Sequence, residues 1–482
     1  MSSNLAYRPA TELRSRIGEG NLSPVTLVES CLERIDELDN EINAFVTVRE
    51  DGAIEDARRA ERAIEEGRNL GPLHGLPVAV KDLTDVGGVR TTYGSVPYAD
   101  HVPEENAVVV DRLQDAGAIV LGKTNTPEFG RKTVTTNRVA GTTANPWDPS
   151  RTVGGSSGGS AAALAAGMTP LATGSDAAGS IRVPAAACGV YGLVPDFGRV
   201  PIGSRPDAFV NVHPYTYVGP MARTVADAAL LLDVLAGPHP TEPFSLPARE
   251  RPYAESLRAD LDGLEVAYSP DLGIFTVDST VRSVVGDAVS AFEDAGATLS
   301  PADAVFEDWY RLHDALEVLL QDRYLGLYDG CKRDDGIDLL DRPGEVTDEV
   351  ISRIESATHL EPIDVRRAER VRTGAVDAVE EVLADADLLV TPTLALPPFP
   401  KETHPSAIEG EPIDPLHGWA LTWPFNLTGH PAASVPLGTT DDGLPVGVQL
   451  VGPRLGDDLV LGASAALERA SGWDDSFPPE TV

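Results

Sequence analysis

Residues 154–184 carry two glycine- and serine-rich clusters separated by an alanine-rich segment. The first is Gly154-Gly155-Ser156-Ser157-Gly158-Gly159-Ser160, and the second is Gly174-Ser175-Asp176-Ala177-Ala178-Gly179-Ser180-Ile181-Arg182-Val183-Pro184. Between them, residues 161–167 are long enough for about two helical turns. Glycine lets backbone N–H groups approach a reacting carbonyl closely, so serine hydroxyls set among small residues suit acyl chemistry. A flexible Gly/Ser linker has the same composition. The apolar runs Ala161-Ala162-Ala163-Leu164 and Val183-Pro184-Ala185-Ala186 argue against a linker, which has no reason to bury its flanks.

What surrounds this stretch narrows the class. A chain of 482 residues suits two or three domains or one large α/β enzyme. No apolar run approaches the ~20 residues that span a bilayer, and the first twelve residues lack a signal-peptide pattern. Cys31, Cys188 and Cys331 are too scattered for a disulfide framework or a zinc site. A cytoplasmic location is expected. The chain holds 75 acidic against 38 basic residues, a net charge of −37, with the acids spread along its length. Its only lysines are Lys81, Lys123, Lys132, Lys332 and Lys401. Such a surface repels itself unless salt screens it, which points to a salt-adapted, halophilic protein. Nucleic acid and anionic membranes are poor partners for it.

Along the chain, residues 1–70 read as helices. Ser23-Pro24 offers an N-cap with proline at the first helical position, followed by an apolar stripe at Leu27, Cys31, Ile35 and Leu38. A charged helical pattern covers 54–66. The run 76–80 predicts a buried strand with Lys81 at its C-terminal end, where ligands bind in open α/β sheets. A helix over 107–116 and a strand over 119–121 follow. Thr224 caps a helix to Leu235, strands are expected at 264–268, 387–390 and 446–451, and helices at 279–295 and 457–471. This alternation predicts an α/β fold, a mixed sheet covered by helices on both faces. With no linker or repeat in view, 1–482 reads as one domain. Its parts are N-terminal helices (1–70), a catalytic core (71–237), a mostly helical insertion (238–386) and the rest of the core (387–482).

Three motifs compete to carry the chemistry. Gly117-Ala118-Ile119-Val120-Leu121-Gly122-Lys123-Thr124 matches the phosphate-loop pattern, but its centre is an apolar strand where a loop is required, so nucleotide binding is rejected. Gly154-Gly155-Ser156-Ser157-Gly158 matches the G-x-S-x-G elbow, which must follow a buried strand. Here a proline-studded loop, 144–152, precedes it, and none of His404, His417 and His430 has a persuasive setting. The third reading joins Lys81, Ser156 and Ser180. A buried lysine loses its charge readily and can take a proton from serine, and a second serine can relay it.

At this point the chain resembles the amidase signature hydrolases. The likeness is carried by 42–48, 75–82, Gly122-Lys123-Thr124-Asn125-Thr126-Pro127-Glu128-Phe129, Asn145-Pro146-Trp147-Asp148, both serine clusters, 188–193, 219–224, Asn426-Leu427-Thr428-Gly429 and 443–450. Residues 238–386 match only weakly. The resemblance implies a Ser–Ser–Lys triad, with Lys81 as base, Ser156 as relay behind a cis Gly155–Ser156 peptide, and Ser180 as the acyl-forming serine. It implies an oxyanion hole of backbone N–H groups from Ala177, Ala178, Gly179 and Ser180, with Ser157 supporting. Asp176 and Arg182 read as a structural pair that orders the loop. No metal or organic cofactor is implied.

Two departures stand out. Ala178-Gly179-Ser180 replaces the family's Gly-Gly-Ser, and a β-carbon at 178 would strain the loop if that position needs positive φ. Gly192-Leu193-Val194-Pro195-Asp196 replaces Gly-Leu-Lys-Pro-Thr. The expected activity is hydrolysis of a small-molecule carboxylic amide to acid and ammonia or amine, through an acyl-enzyme on Ser180. The rival is the glutaminase component of a tRNA-dependent amidotransferase, which works with partner subunits; a non-catalytic binding protein comes after it. The Tyr324–Gly330 region only faintly echoes that component. A homodimer is an open expectation, and residues 309–328 and 404–425 are candidate pocket walls because aromatics gather there.

Overall fold

Eleven short apolar runs pair into one mixed sheet among the residues that the computed structural model describes, 5–257, 260–473 and 476–479. In chain order they are β1 (Phe45–Val48), β2 (Pro77–Lys81), β3 (Ile119–Thr124), β4 (Leu171–Asp176), β5 (Tyr191–Val194), β6 (Tyr217–Ala222), β7 (Glu265–Tyr268), β8 (Thr298–Pro301), β9 (Leu388–Pro392), β10 (Ala432–Thr439) and β11 (Pro445–Val451). Their order in space is β1-β3-β2-β4-β6-β5-β10-β11-β9-β7-β8. β2 runs parallel to β3 and β4, and β7 runs parallel to β8 and β9. The other neighbours are antiparallel.

Strands β2, β3, β5, β6, β9 and β11 are buried at every position, as expected when helices cover both faces of a sheet. Those helices start where local chemistry says they should. The Ser23 side chain accepts from the N–H groups of Val25 and Thr26 to open Pro24–Ile42, and Thr224 accepts from Asp227 to open Val225–Leu235. The alanine-rich helix, Gly158–Ala165, is buried along its whole length. Small side chains allow it to pack tightly between sheet and neighbouring helices.

Three expectations need correction. The N-terminal seventy residues are not all helical, because β1 pairs antiparallel with β3 at the sheet edge. The 238–386 segment is mainly helical but also extends the sheet, through β7, the strand expected at 264–268, and through β8, which no expectation covered. Residues 144–152 are not a loop: Ala144–Asn145 and Asp148–Thr152 pair as a small hairpin outside the main sheet. Polar exposed residues in that hairpin hid its alternation.

Candidate active site

Parallel pairing of β2 with β4 brings the C-terminal ends of both strands to one edge. Lys81 ends β2, while Ser175 and Asp176 end β4. Lys81 Nζ, fully buried, lies 2.7 Å from Ser156 Oγ, 3.0 Å from Ser175 Oγ and 3.3 Å from the Ser175 carbonyl. Burial holds its pKa well below the usual lysine range; Asp176 opposes that shift and the Arg323 guanidinium adds to it. Nothing in the sequence singles out Ser175, which is one serine among several.

Ser156 and Ser157 sit at the N-terminus of helix Gly158–Ala165, after a cis Gly155–Ser156 peptide. The Ser157 N–H donates to the Ser180 carbonyl at 3.1 Å, which ties the two serine clusters together. The Ser175 N–H donates to Ser157 Oγ at 3.3 Å. Ser156 and Ser180 are both buried, and Gly130 backs onto Ser156 so closely that a Cβ there would sit 3.3 Å from Ser156 Oγ.

The loop carrying Ser180 is held from within. Asp176 Oδ1 accepts from the Gly179 N–H at 2.7 Å and from Asn426 Nδ2 at 2.8 Å, and Oδ2 accepts from the Ile181 N–H at 3.0 Å. Arg182 pairs with Asp176 at 3.0 Å, both side chains fully buried, and donates onward to the Thr422 carbonyl, Gln449 and Asn426. Burial alone would raise the Asp176 carboxyl, but Arg182 and these N–H donors hold it below the usual carboxylate range. Breaking a buried pair strands the remaining charge. Arg182→Met is therefore expected to cost about 3–5 kcal/mol, read as a lower urea midpoint at fixed KCl.

Ser156 and Ser175 thus flank a buried lysine, and the Ser157 N–H ties them to the loop that carries Ser180. The Amidase family model matches residues 26–461. The chain belongs to the amidase signature family. It is 41% identical to an acylamidase of Rhodococcus erythropolis, over 99% of this chain and 98% of that protein. It is also 36% identical to the A component of the glutamyl-tRNA(Gln) amidotransferase of Chloroflexus aurantiacus, over 98% of this chain and 99% of that protein. Among solved structures it resembles a bacterial aryl acylamidase of the amidase signature family, with a TM-score of 0.92 and 34% identity over 97% of this chain and 98% of that one. It is thus an amidase, one of a family of enzymes that hydrolyse carbon–nitrogen bonds.

For an amidase of this kind the Ala178 departure is benign. Positive φ falls on Gly179, at 110°, whereas Ala178 is absent from the non-glycine residues with positive φ. A side chain on Gly179 would collide with Thr422 Oγ1. Ala178→Gly is accordingly expected to change kcat/KM by less than about threefold, while Gly179→Ala, which must push the loop away from Thr422, lowers it at least about a hundredfold, as misplacing an oxyanion donor does. Steady-state kinetics on the two variants check this. The second departure leaves Asp196 fully buried, 3.1 Å from Arg454, where burial and the neighbouring Asp457 raise its carboxyl to about 7.

The residues of the competing motifs serve the core instead. Lys123 is fully buried, 3.2 Å from Asp82 and 2.6 Å from Thr91 Oγ1, inside β3 and not in a phosphate loop. His430 is buried between Thr428 and Glu380, and His417 lies 3.1 Å from His313. Burial lowers the pKa of both, whereas His404 is exposed. The 309–328 and 404–425 stretches pack on each other: Trp309 stacks on His313, and both rings meet Trp423 edge-on.

Proposed function

We propose that this amidase cleaves a small carboxylic amide to the acid and ammonia or an amine, through an acyl-enzyme on Ser180. The observation that carries the reading is the set of three polar contacts around buried Lys81. A neutral amine has two N–H donors and one lone pair. Ser175 offers a carbonyl and a hydroxyl oxygen to the donors, which leaves the lone pair for the Ser156 hydroxyl. Ser156 then passes on the proton that Ser180 gives up as it attacks the carbonyl, and the relay runs backward to protonate the leaving nitrogen. Water repeats the attack on the ester and frees the acid. Because the Gly179 N–H is already bonded to Asp176, the ground-state oxyanion donors are those of Ala177, Ala178 and Ser180. Asp176 and Arg182 set the shape of that loop.

The acidic composition supports work at molar salt in a cytoplasm, and no helix among the described residues is long and apolar enough to cross a membrane. The chain reads as one amidase domain, since a single sheet takes strands from residue 45 to 451.

The likeness to the amidotransferase component favours a second reading, glutaminase within a larger complex. Ammonia and amine release from a panel of aliphatic, aromatic and amino-acid amides in molar KCl separates the two. Turnover of simple amides by the lone chain is expected. Turnover of glutamine alone, and only with added partner subunits, would replace the first reading by the second. Silence across the panel in a folded protein would point to a non-catalytic relative.

A further inference from the structure

His313 and His417 are 104 residues apart in the chain, yet His313 Nε2 lies 3.1 Å from His417 Nδ1. Two carboxylates close the group. Glu317 Oε1 is 3.4 Å from His417 Nδ1 and 3.9 Å from His313 Nε2, and Asp414 Oδ1 is 4.0 Å from His313 Nε2. One donor atom each of His313, Asp414 and His417 lies within 4.8 Å of the other two. The side chains of His313 and His417 are 12% and 4% exposed, so the space between them is largely shielded from bulk water. A hydrogen bond between two neutral rings accounts for the 3.1 Å contact, one nitrogen donating and the other accepting. It uses neither carboxylate.

The four side chains arrive in two pairs, each placed by local structure. His313 and Glu317 are four residues apart on helix Trp309–Arg333 and so share a face. Asp414 and His417 belong to a tight turn in which Asp414 Oδ1 accepts from the N–H groups of Leu416 and His417, at 2.9 and 2.7 Å. The rings are held as well. His313 stacks on Trp309 with centroids 4.3 Å apart, and the Trp423 Nε1–H donates to the His417 carbonyl at 3.1 Å. Arg353 grips Glu317, with Nη1 2.9 Å from Oε2 and Nη2 donating to Oε1 at 3.2 Å. A carboxylate oxygen has a second lone pair, so Oε1 keeps one for a further partner. Outer hydrogen bonds of this kind orient ligating carboxylates at metal sites.

We propose that His313, Glu317, Asp414 and His417 bind a divalent transition-metal ion of the zinc class. His313 Nε2, His417 Nδ1 and Glu317 Oε1 form a triangle with edges of 3.1, 3.4 and 3.9 Å, which fits three ligands each about 2.0–2.2 Å from one ion. Asp414, a little farther out, fills the fourth position directly or through a water. Two imidazoles among carboxylates suit zinc, whereas calcium and magnesium take oxygen ligands. Binding turns the lone pairs of both facing nitrogens to the ion, which needs only a tautomer change on one ring. The ion is a brace and takes no part in the chemical step. Leu416, beside His417, accepts from Thr133 Oγ1 at 2.9 Å, and a Cβ on Gly155 would press on Thr133. Thr422, farther along the same segment, abuts Gly179. Pinning this turn to helix Trp309–Arg333 steadies the wall that both serine clusters share. The site stands whether or not the chain hydrolyses amides.

The untagged chain, stripped with EDTA and dialysed into molar KCl, is titrated with Zn²⁺ by calorimetry in excess Mg²⁺, which occupies surface carboxylates. One equivalent is expected to bind with a micromolar or tighter Kd. His313→Gln and His417→Gln are each expected to weaken it at least tenfold, while His359→Gln, at an exposed histidine elsewhere, leaves it unchanged. Saturating Zn²⁺ should raise the Tm of the unmutated chain, as any ligand held only by the folded state does, and should leave the Tm of the two site variants where it was. Circular dichroism confirms the fold of each variant. Co²⁺ gives a reading that needs no variant. The strong visible absorption of a four-coordinate ion is expected, and the weak spectrum of six-coordinate Co²⁺ alone would overturn the site. Binding that both histidine substitutions leave intact, or no equivalent that withstands Mg²⁺, would overturn it too.

Discussion

Ser180→Ala is expected to lower kcat by about 10⁶ on any amide the enzyme turns over, to the level left by the oxyanion loop and binding alone. The hydroxyl is the only group of Ser180 removed. Its N–H stays in the loop, and its carbonyl still accepts from the Ser157 N–H, so the variant keeps the tie between the serine clusters. Substrate affinity should therefore survive while the chemical step fails, a loss in kcat with KM or Kd little changed. Intact-mass measurement during turnover of a slow ester gives a second reading. The unmutated chain gains the mass of the acyl group, and Ser180→Ala does not. Residual activity within a hundredfold of the unmutated protein would move the nucleophile elsewhere, with Ser156 the next candidate, because it is the serine in direct contact with Lys81.

Much of this site is legible in the sequence because local chemistry decides it. Lys81 follows a short apolar run that can only be a buried strand, and a charge at the end of such a strand is conspicuous in a chain with five lysines. Ser156 and Ser180 lie within glycine clusters whose backbone freedom the fold uses directly, most plainly at Gly179 with its φ of 110°. Asp176 and Arg182 are six residues apart, close enough for their pairing to be anticipated from the motif alone.

What the sequence conceals depends on strand and helix partners far away in the chain. Ser175 matters only because β4 lies parallel to β2, which no local pattern specifies. The anchors of Arg182, at Thr422, Asn426 and Gln449, arrive from 240 to 267 residues downstream. The concern over Ala178 arises from motif matching, and it dissolves once the backbone shows that the left-handed conformation belongs to the next residue.

Lys81→Met is expected to separate activity from stability in opposite directions. The general base is worth about 10²–10⁴ in rate, so kcat/KM should fall by that factor at neutral pH. On the proposed mechanism the base is the neutral amine of Lys81. Activity should therefore rise with pH through the lowered pKa of Lys81 and level off above it, and this limb should vanish in the variant. The stability argument runs on the same shift. Lys81 is depressed in the folded state by burial, yet it holds its proton up to pH ~10.5 when unfolded. Between the folded pKa and 10.5 the unfolded chain binds one more proton than the native one, so Lys81 destabilises the fold there, by less as pH rises. Methionine removes that penalty while keeping similar length and apolar bulk. The variant is expected to melt at a higher temperature than the unmutated protein at pH 7, with the gap closing toward pH 10.5. An unchanged or lowered Tm at pH 7 would mean that the hydrogen bonds to Ser156 and Ser175 outweigh the cost of holding the amine neutral. A retained pH limb in the variant would assign the base to another group.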